Sequence, residues 1–464
     1  MNKSKIGPRE RIHFVGIGGI GMSGLAQVMK DMGFNVQGSD MSNSKNVERC
    51  TKKGIKVFVK HNKKNIKNST IIVRSSAIKN NNPEIKIAKK RKLTILKRAE
   101  MLAHVVSLKK NIVITGSHGK TTTTSLISRI LYEAKLDPTI INGGVINSIK
   151  SPSRLGRGDW AVLEADESDG SFLNLPTNYS VVTNIDREHI DFYKSFNNLK
   201  NSFLKFLNKT PTIGKAFLCI DDKEVKKIIP KITNKNFLTY GFSKNANFQI
   251  FNPIYKKDYS IFDLKISIKD QKKIFIKKIK LNLIGPYNVL NSASAIALCL
   301  HIGISTNIIK NALKKFTGIE RRLTKVFEIN KREFFDDYAH HPTEISSVLK
   351  SLRMTYRGRK IISVFQPHRY SRLKTLKNEF ASSFKDTDLV ILCPVYAAGE
   401  KVDKRYNEND FANLIIKNSK VQVITVKNEK DLKKFFLKNL ITNELIICMG
   451  AGSISKWIRE MSLK

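Results

Sequence analysis

Residues 111–124 read NIVITGSHGKTTTT, an apolar run followed by a glycine-bounded turn and a series of threonines. In a P-loop, glycines allow successive backbone N–H groups to surround phosphate oxygens at the N-terminus of a helix. Such a loop also needs a lysine for the terminal phosphates and a hydroxyl for Mg²⁺, and Lys120 and Thr121 stand at those places. The strict GxxxxGK[ST] pattern is not met, because Ile114 occupies its first glycine position. The stretch therefore predicts a strand, a phosphate-binding loop and a helix.

Around this stretch, a pattern of strands alternating with helices begins three times along the chain, which predicts an α/β protein with three domains. The first series begins with the strand-like residues 11–17, the second near residue 108 and the third near residue 317. The lysine-rich residues 248–283 alternate apolar and polar side chains, which indicates an antiparallel segment. We expect domains at residues 1–108, 109–317 and 318–464.

The composition of the 464 residues, with 41% hydrophobic and 26% charged side chains, excludes a wholly disordered chain. The five cysteines are scattered without a CxxC pair, so neither a disulfide framework nor a zinc ribbon is expected. The first residues lack the apolar core of a signal peptide, and no apolar run is long enough to span a bilayer. These observations predict a soluble cytoplasmic protein with no membrane insertion.

The charge is strongly basic, since 83 Lys and Arg residues face 39 Asp and Glu residues, for a formal net charge of +44. A nucleic-acid-binding protein is one explanation of such a charge. However, the lysines recur in every part of the chain instead of clustering with aromatic residues, which favours a coding bias. We therefore expect no specific nucleic-acid partner, although the charge attracts anionic substrates.

A second glycine-rich turn, GIGGIG at residues 16–21, follows the first predicted strand. Its GxGxxG spacing, with Asp40 about 20 residues further on, fits the fingerprint of a dinucleotide-binding fold. A nicotinamide-dependent dehydrogenase is therefore an alternative, and a tightly packed turn without a ligand is another. The P-loop in the same chain favours an enzyme that uses ATP on a nucleotide-linked substrate.

Two polar segments follow predicted strands of the second domain. EADESD at residues 164–169 places four carboxylates within six residues, and TNIDREHID at residues 183–191 contains His189. Carboxylates at the carboxyl end of a strand beside a P-loop are well placed to bind Mg²⁺. A solvated acidic loop and a structural histidine are the alternatives for these two segments.

Four further motifs carry polar side chains of chemical interest. GPYNVLN at residues 285–291 precedes an alanine-rich helix and offers amides to an adenine edge, although helix capping competes with that role. FTGIERR at residues 316–322 places two arginines where a domain boundary is expected. There an arginine could contact a γ-phosphate, and solvated surface arginines are the alternative. DDYAHHP at residues 336–342 and QPHRYSR at residues 366–372 lie at the ends of predicted strands, a polar density typical of binding sites.

Together these motifs resemble those of the Mur ligase family along nearly the whole chain. The matching segments, in family order, are HFVGIGGIGMSG, GSHGKTTT, EADESDGSF, TNIDREHID, GPYNVLNSASA, FTGIERR, DDYAHHPTE and QPHRYSR. The glycine loop of the first segment and the last segment are most similar to those of the alanine-adding members. Ser117 is a departure, since the family usually has threonine there, but a loop that binds through backbone amides tolerates it.

The resemblance implies an N-terminal UDP-binding Rossmann-like domain, a central P-loop ATPase-type domain with a mixed sheet, and a C-terminal Rossmann-like domain for the amino acid. It implies UDP-sugar contacts from Gly16, Gly18, Gly19, Gly21, Asp40 and Ser75. For ATP it implies Gly116, Ser117, His118, Gly119, Lys120, Thr121, Thr122, Asn291 and Arg321. For one or two Mg²⁺ ions it implies Thr121, Glu164 and His189. The catalytic residues that it implies are Lys120, Glu164, His189, Arg321, His340, Arg369 and Arg372.

The activity implied by the resemblance is ATP-dependent ligation of L-alanine to the lactoyl carboxylate of UDP-N-acetylmuramate through an acyl phosphate. Lys120 and Arg321 would screen the charge of phosphoryl transfer, while His340, Arg369 and Arg372 would face L-alanine and the muramoyl carboxylate. An enzyme that adds a preformed peptide to the same nucleotide sugar is the nearest alternative. Both a monomer and a homodimer stay open.

Overall fold

The computed structural model describes residues 6–7, 9–403 and 405–461. These residues form three β-sheets with helices between the strands. They divide into two compact units. The first unit contains the described residues up to 253 together with 261–282 and 290–317, and the second contains 254–260, 283–289 and the described residues from 318 onward.

Five parallel strands form the first sheet: β1 (Arg11–Val15), β2 (Asn35–Asp40), β3 (Lys56–Val59), β4 (Ile71–Arg74) and β5 (Thr94–Lys97). Their order across the sheet is β3-β2-β1-β4-β5. The helices of this region are α1 (Ile20–Asp31), α2 (Lys45–Lys52), α3 (Pro83–Lys90) and α4 (Arg98–Val106). Side chains at the helix N-termini explain where two of them begin, since Ser44 caps α2 and Asn82 caps α3 ahead of Pro83.

Ten strands form the second sheet: β6 (Lys110–Thr115), β7 (Thr139–Ile146), β8 (Ser151–Arg154), β9 (Trp160–Glu164), β10 (Tyr179–Val182), β11 (Lys215–Cys219), β12 (Phe237–Gly241), β13 (Phe248–Tyr255), β14 (Ser260–Ile266) and β15 (Ile274–Leu281). Their order is β15-β14-β13-β12-β11-β10-β6-β9-β7-β8. The accompanying helices are α5 (Lys120–Glu133), α6 (Ile190–Tyr193), α7 (Phe196–Asn208), α8 (Lys223–Ile228), α9 (Pro286–His301) and α10 (Thr306–Lys314). β6 lies between β9 and β10 and runs parallel to both, so the carboxyl ends of these three strands share one edge.

Six strands form the third sheet: β16 (Thr324–Ile329), β17 (Arg332–Asp337), β18 (Ile361–Phe365), β19 (Leu389–Leu392), β20 (Gln422–Thr425) and β21 (Leu445–Met449). Their order is β16-β17-β21-β18-β19-β20, and all pairs are parallel except the β16–β17 hairpin. The helices are α11 (Pro342–Thr355), α12 (Tyr370–Thr375), α13 (Lys377–Ala381), α14 (Glu408–Ser419), α15 (Glu429–Asn439) and α16 (Ile454–Glu460).

The first two sheets belong to one compact unit because α1 packs against β7 and β8 of the second sheet. A glycine permits this approach: a Cβ at Gly24 would lie 3.3 Å from the side chain of Ser153. Apolar residues such as Leu25 of α1 and Ile141 of β7 belong to one continuous core. The glycine loop after β1 and the P-loop after β6 are therefore positioned by a shared core.

The α/β architecture predicted from the sequence is confirmed, with one sheet for each of the three strand–helix series. The sequence pattern did not show the β7–β8 and β16–β17 hairpins. β7 contains Gly143 and Gly144, and glycine pairs weaken the pattern by which a strand is recognised. All five cysteines are buried and free. Within the described part of the chain, no helix combines the length and apolarity needed to cross a membrane.

Candidate active site

The P-loop joins the end of β6 to the start of α5, and its two glycines have no room for a side chain. Gly116 has a φ of +130° and Gly119 a φ of +82°, backbone conformations that favour glycine. A Cβ at Gly116 would collide with Thr183, and a Cβ at Gly119 would lie 2.5 Å from Oδ1 of Asn291. Asn291, a predicted ATP-site residue, thus lies directly beside the loop.

Lys120 is the first residue of α5, and its side chain folds back over the loop. Its Nζ donates to the carbonyl oxygens of Gly116 and Ser117 and lies 2.9 Å from Oε2 of Glu167. Burial would lower the pKa of Lys120, but the nearby carboxylates, Glu167 first among them, outweigh burial and raise it. The lysine is therefore a fixed positive charge at the mouth of the loop.

Thr121 and Glu164, two of the predicted Mg²⁺ ligands, lie together. Thr121 Oγ1 donates to Glu164 Oε1 at 3.1 Å, and the N–H of Gly143 donates to Glu164 Oε2 at 2.6 Å. The hydroxyl and the carboxylate meet because Glu164 ends β9, the parallel neighbour of β6. Thr122, the next residue of α5, is buried.

Glu167 is a site residue that the motif reading did not single out. Its side chain is only 1% exposed, and its Oε1 lies 3.5 Å from Nε2 of His189. Asp166, Glu167 and His189 offer three possible ligand atoms within 4.8 Å of one another. Burial would lower the pKa of His189, but the nearby carboxylates, Glu167 first among them, together outweigh this effect and raise the pKa. The predicted metal ligand His189 is thus joined to Glu167, which in turn contacts Lys120.

The segment after β10 fixes the backbone of the P-loop. Asn184 Oδ1 accepts the His118 N–H at 2.8 Å, and Asn184 Nδ2 donates to the His118 carbonyl at 3.0 Å. Asp186 lies beside the same loop: its N–H donates to Ser117 Oγ at 2.8 Å, and its Oδ2 lies 3.0 Å from His118 Nε2. Ser117 and His118 therefore bind this segment through their own polar atoms, a role that their sequence positions alone do not reveal.

The glycine loop after β1 is tied to the end of β2. The Gly18 N–H donates to Asp40 Oδ2 at 2.8 Å, and the Gly16 N–H donates to the Ser39 carbonyl at 2.9 Å. Gly16 has a φ of +82°, and a Cβ there would lie 3.2 Å from Cβ of Ser75. Of the six predicted UDP-sugar residues, Gly16, Gly18, Asp40 and Ser75 take part in the contacts just described. The other two, Gly19 and Gly21, lie at the start of α1.

The start of α1 also approaches a residue outside the predicted set. A Cβ at Gly21 would lie 3.2 Å from Nη1 of Arg98, so glycine leaves space for this guanidinium. Gly19 immediately precedes the helix with an ordinary extended conformation. A side chain at position 21 would therefore have to displace the Arg98 guanidinium.

In the second unit, the predicted residues His340 and Arg372 surround His368. Arg372 Nη1 donates to His368 Nδ1 at 3.3 Å, and the rings of His340 and His368 lie 5.9 Å apart. The His368 ring stacks on Tyr396, with centroids 5.7 Å apart. Burial, followed by the neighbouring positive charges, lowers the pKa of His368 to about 3, so its ring is neutral near neutral pH.

The two other predicted arginines of this unit occupy left-handed backbone positions. Arg369 is exposed, has a φ of +70°, and its N–H donates to the Tyr396 carbonyl at 2.9 Å. Arg321 has a φ of +59°, its Nη2 donates to the Gly450 carbonyl at 2.7 Å, and its guanidinium lies 4.8 Å from the ring centre of Tyr338. Both arginines thus lie in the same unit as His340, while the P-loop residues lie in the other.

Comparison with known proteins bears on the whole chain. Three family models match in succession: the Mur ligase family catalytic domain at residues 11–110, the Mur ligase middle domain at 114–299, and the Mur ligase glutamate ligase domain at 321–452. UDP-N-acetylmuramate--L-alanine ligase of Pelagibacter ubique (strain HTCC1062) is 55% identical over 459 residues, which cover 99% of each chain. The chain belongs to the Mur ligase family.

Three further proteins extend the likeness of this Mur ligase. A protein of the same name from Methylorubrum populi is 41% identical over 456 residues, or 98% of this chain and 96% of the relative. The crystal structure of UDP-N-acetylmuramate-alanine ligase from Thermotoga maritima superposes with a TM-score of 0.81, 26% identity and 97% coverage of both chains. The murein peptide ligase of Psychrobacter arcticus shares the fold, with a TM-score of 0.72, 20% identity, and coverage of 98% of this chain and 99% of that one.

Proposed function

We propose that this Mur ligase joins L-alanine to the lactoyl carboxylate of UDP-N-acetylmuramate while ATP is converted to ADP and phosphate. The observation that carries the proposal is the 55% identity, over the full length of both chains, with a relative named UDP-N-acetylmuramate--L-alanine ligase. The product, UDP-N-acetylmuramoyl-L-alanine, is a precursor of peptidoglycan, and the enzyme therefore serves cell-wall synthesis.

The chemical difficulty is that a carboxylate is a poor electrophile with no leaving group. Transfer of the γ-phosphoryl group of ATP to the lactoyl carboxylate gives an acyl phosphate, from which phosphate can leave. This transfer brings two anions together, so it requires a positive charge that is already in place. Lys120 supplies that charge, because Glu167 and two loop carbonyls hold its ammonium group.

The side chains around the loop fit magnesium. Thr121 and Glu164 present oxygen atoms 3.1 Å apart, and the carboxylates of Asp166 and Glu167 lie in one group with His189. Oxygen donors are the ligands that Mg²⁺ prefers. We assign one ion to Thr121 and Glu164 and a second to Glu167 and His189. When bound, these ions would screen the charges of the phosphates and of the reacting carboxylate.

The acceptor amino acid is assigned to the histidine–arginine cluster of the second unit. The Arg372 guanidinium can hold a carboxylate through two parallel hydrogen bonds, and neutral His368 accepts a hydrogen bond from the guanidinium and so orients it. His340 and Arg369 complete this assignment. The alanine amine, once deprotonated, attacks the acyl carbon, and phosphate leaves with the electrons of the broken C–O bond. Arg321 is assigned to the phosphoryl group of ATP.

The glycine loop after β1 is assigned to the UDP diphosphate, with Gly16, Gly18, Gly19 and Gly21 as the glycines and Ser75 beside them. In a dehydrogenase, an acidic residue at the end of β2 would serve the ribose of the cofactor. Here Asp40 instead accepts the N–H of Gly18. This contact supports a loop-holding role for Asp40 and disfavours the dehydrogenase alternative.

We also assign the reaction to the cytoplasm, where ATP and nucleotide sugars are available. For the domains we propose the limits 1–108, 109–317 and 318–464.

The test is phosphate release from ATP with purified protein, UDP-N-acetylmuramate and Mg²⁺, with each acceptor supplied in turn. With L-alanine the protein should turn over and give a product with the mass of UDP-N-acetylmuramoyl-L-alanine. The Lys120→Ala variant should not turn over under the same conditions. A preformed cell-wall peptide is the competing acceptor. Turnover that depends on this peptide and not on L-alanine would replace the proposed function with that of a peptide ligase.

A further inference from the structure

A buried polar cluster lies beneath the glycine loop of the first sheet. We call His13, Gln37, Ser39, His61 and Glu84 the Glu84 cluster. The side chains of His13 and Glu84 are fully buried, and that of His61 is 9% exposed. The residues come from β1, β2, the loop after β3 and α3. Five polar groups at this depth are costly unless every donor meets an acceptor.

The hydrogen bonds of the cluster run in one direction, toward Glu84. Gln37 Nε2 donates to His13 Nδ1 at 3.2 Å, so the ring proton of a neutral His13 is on Nε2. That nitrogen lies 3.3 Å from Ser39 Oγ and 3.4 Å from Glu84 Oε2. Ser39 Oγ in turn donates to Glu84 Oε2 at 2.6 Å. The His61 Nδ1 lies 3.0 Å from Ser39 Oγ and 3.2 Å from this same Glu84 oxygen.

The other oxygen of Glu84 is occupied as well. Glu84 Oε1 accepts from Asn65 Nδ2 at 2.6 Å and from the Asn62 N–H at 3.2 Å. Burial by itself raises the pKa of Glu84, but the hydrogen bonds from His13 and Ser39 outweigh it and lower the pKa to about 2. Glu84 is thus an ionised carboxylate with donors on both oxygens. An apolar side chain would fill the same volume without the cost of burying a charge.

The cluster is connected to the glycine loop through the end of β2. Ser39, whose hydroxyl binds Glu84, uses its carbonyl to accept the N–H groups of Gly16 at 2.9 Å and Ile17 at 3.0 Å. The next residue, Asp40, accepts the Gly18 N–H at 2.8 Å. Every displacement of the end of β2 would therefore move three backbone amides of the loop.

We propose that Glu84 is a positioning residue of the nucleotide-sugar site, which holds Ser39 and, through it, the glycine loop in the geometry that receives the UDP diphosphate. This inference rests on the proposed function, which assigns the UDP-sugar to that loop. Glu84 itself contacts no loop amide in this arrangement. Its effect is transmitted by the Ser39 hydroxyl on one side and the Ser39 carbonyl on the other.

The decisive variant is Glu84→Gln, assayed in the full chain with each of the three substrates varied in turn. Glutamine has one acceptor oxygen and one NH₂ donor. In either rotamer its NH₂ group would therefore face donors whose hydrogen bonds Glu84 now accepts. We expect the KM for UDP-N-acetylmuramate to rise on the order of tenfold or more, while kcat and the KM values for ATP and L-alanine change less than about threefold. Ser39→Ala, a milder change, should give a smaller rise in the same KM only.

The matched control is Glu333→Gln in the second unit. Glu333 is also a buried carboxylate whose pKa is lowered to about 2, and it contacts Lys325 and Arg359, neither of which is assigned to a substrate. Thermal melting of all variants identifies loss of stability. A folded Glu84→Gln variant with an unchanged KM for the nucleotide sugar would overturn the inference, as would equal changes for all three substrates in Glu84→Gln and Glu333→Gln.

The same experiment distinguishes failure of the inference from failure of the proposed function. If the unmodified protein neither binds UDP-N-acetylmuramate by calorimetry nor consumes it, the proposed function fails. If the unmodified protein turns over and the Glu84 and Ser39 variants retain its KM for the nucleotide sugar, only the positioning role fails. Should Glu84→Gln not fold, Ser39→Ala decides the question, because it removes the same link without removing the buried charge.

Discussion

Two polar regions of the molecule have opposite electrostatic designs. Around the P-loop, carboxylates surround a single lysine, and the Glu167 carboxylate lies 2.9 Å from the Lys120 ammonium. In the second unit, cationic side chains surround a single histidine, and the Arg372 guanidinium donates to the His368 ring. Burial by itself would lower the pKa of both groups, but the net shifts are opposite. The pKa of Lys120 is raised, whereas that of His368 is lowered to about 3.

The difference shows that neighbouring charges can reverse the effect of burial on a pKa, as for Lys120, or add to it, as for His368, where burial is the larger cause. A lysine that must meet phosphates has to stay charged, and carboxylates secure this while they also offer oxygen ligands for metal ions. An arginine that must bind a carboxylate needs a neutral acceptor to orient it, and a histidine among cations remains neutral. The four predictions that follow test each half of this comparison.

The largest effect is expected for Lys120→Ala, which removes the cation from the carboxylate-rich region. Loss of a charge-assisted contact to a transferring phosphoryl group should lower kcat on the order of 10²- to 10³-fold. Calorimetry should find binding of the UDP-sugar largely intact, since its predicted residues lie on the first sheet. Lys200→Ala is the control, because Lys200 is also a half-buried lysine paired with a carboxylate, Glu224, at 3.2 Å. Near-normal turnover of a folded Lys120→Ala variant would show that this loop is not the phosphate site.

Glu167→Gln tests the anionic partner of the same pair and should have the next largest effect. The substitution leaves Lys120 and His189 without the carboxylate that both contact. We expect kcat to fall roughly 30- to 100-fold, and more Mg²⁺ to be needed for half-maximal rate. Glu224→Gln, which removes a carboxylate paired with Lys200 and Lys227 in the same unit, should leave both quantities nearly unchanged. An unaltered Mg²⁺ dependence in Glu167→Gln would contradict the second metal assignment.

These two residues also show what the sequence could reveal. Lys120 and Thr121 are recognisable because a P-loop places its chemistry in consecutive residues. Glu167 was not recognisable in the same way, since it is one of four carboxylates in six residues. Which of these carboxylates turns inward depends on the backbone after β9, and local sequence does not determine that path. The family and the order of its motifs were predicted correctly, because the resemblance extends over eight segments.

The sequence also did not show which strands lie next to each other within a sheet. The positions of Asn184 and Asp186 beside the P-loop follow from the adjacency of β6 and β10, and strand order in a ten-stranded sheet is not written in any local pattern. His368 stood inside a recognised motif, QPHRYSR, but the motif does not show that the His368 ring stacks on Tyr396, which is distant in sequence. The predicted roles of the site residues remain predictions for kinetics to test.

Arg372→Ala tests the cationic region and should act on one substrate only. If Arg372 holds the alanine carboxylate in a desolvated contact, its loss should cost about 1.5–3 kcal/mol, expressed mainly as a higher KM for L-alanine. Arg353→Ala is a suitable control, because Arg353 is a partly buried arginine of the same unit that pairs with Asp388. If the KM for ATP rises while that for L-alanine does not, Arg372 belongs to the nucleotide and not to the amino acid.

The smallest effect concerns the pH dependence of stability that His368 imposes. Its pKa in the folded protein is about 3, below the ordinary value of 6.5, so the unfolded chain takes up the proton first as the pH falls. The stabilising contribution is therefore complete above about pH 6.5 and is lost progressively between there and the folded pKa. Between about pH 7 and about pH 5.5, this one group should reduce the free energy of unfolding by about 1 kcal/mol. Urea unfolding of the native chain and of His368→Gln at both pH values measures the difference, because glutamine does not titrate and all other groups are shared. A difference between the two chains that is the same at both pH values would show that folding does not lower the pKa of His368.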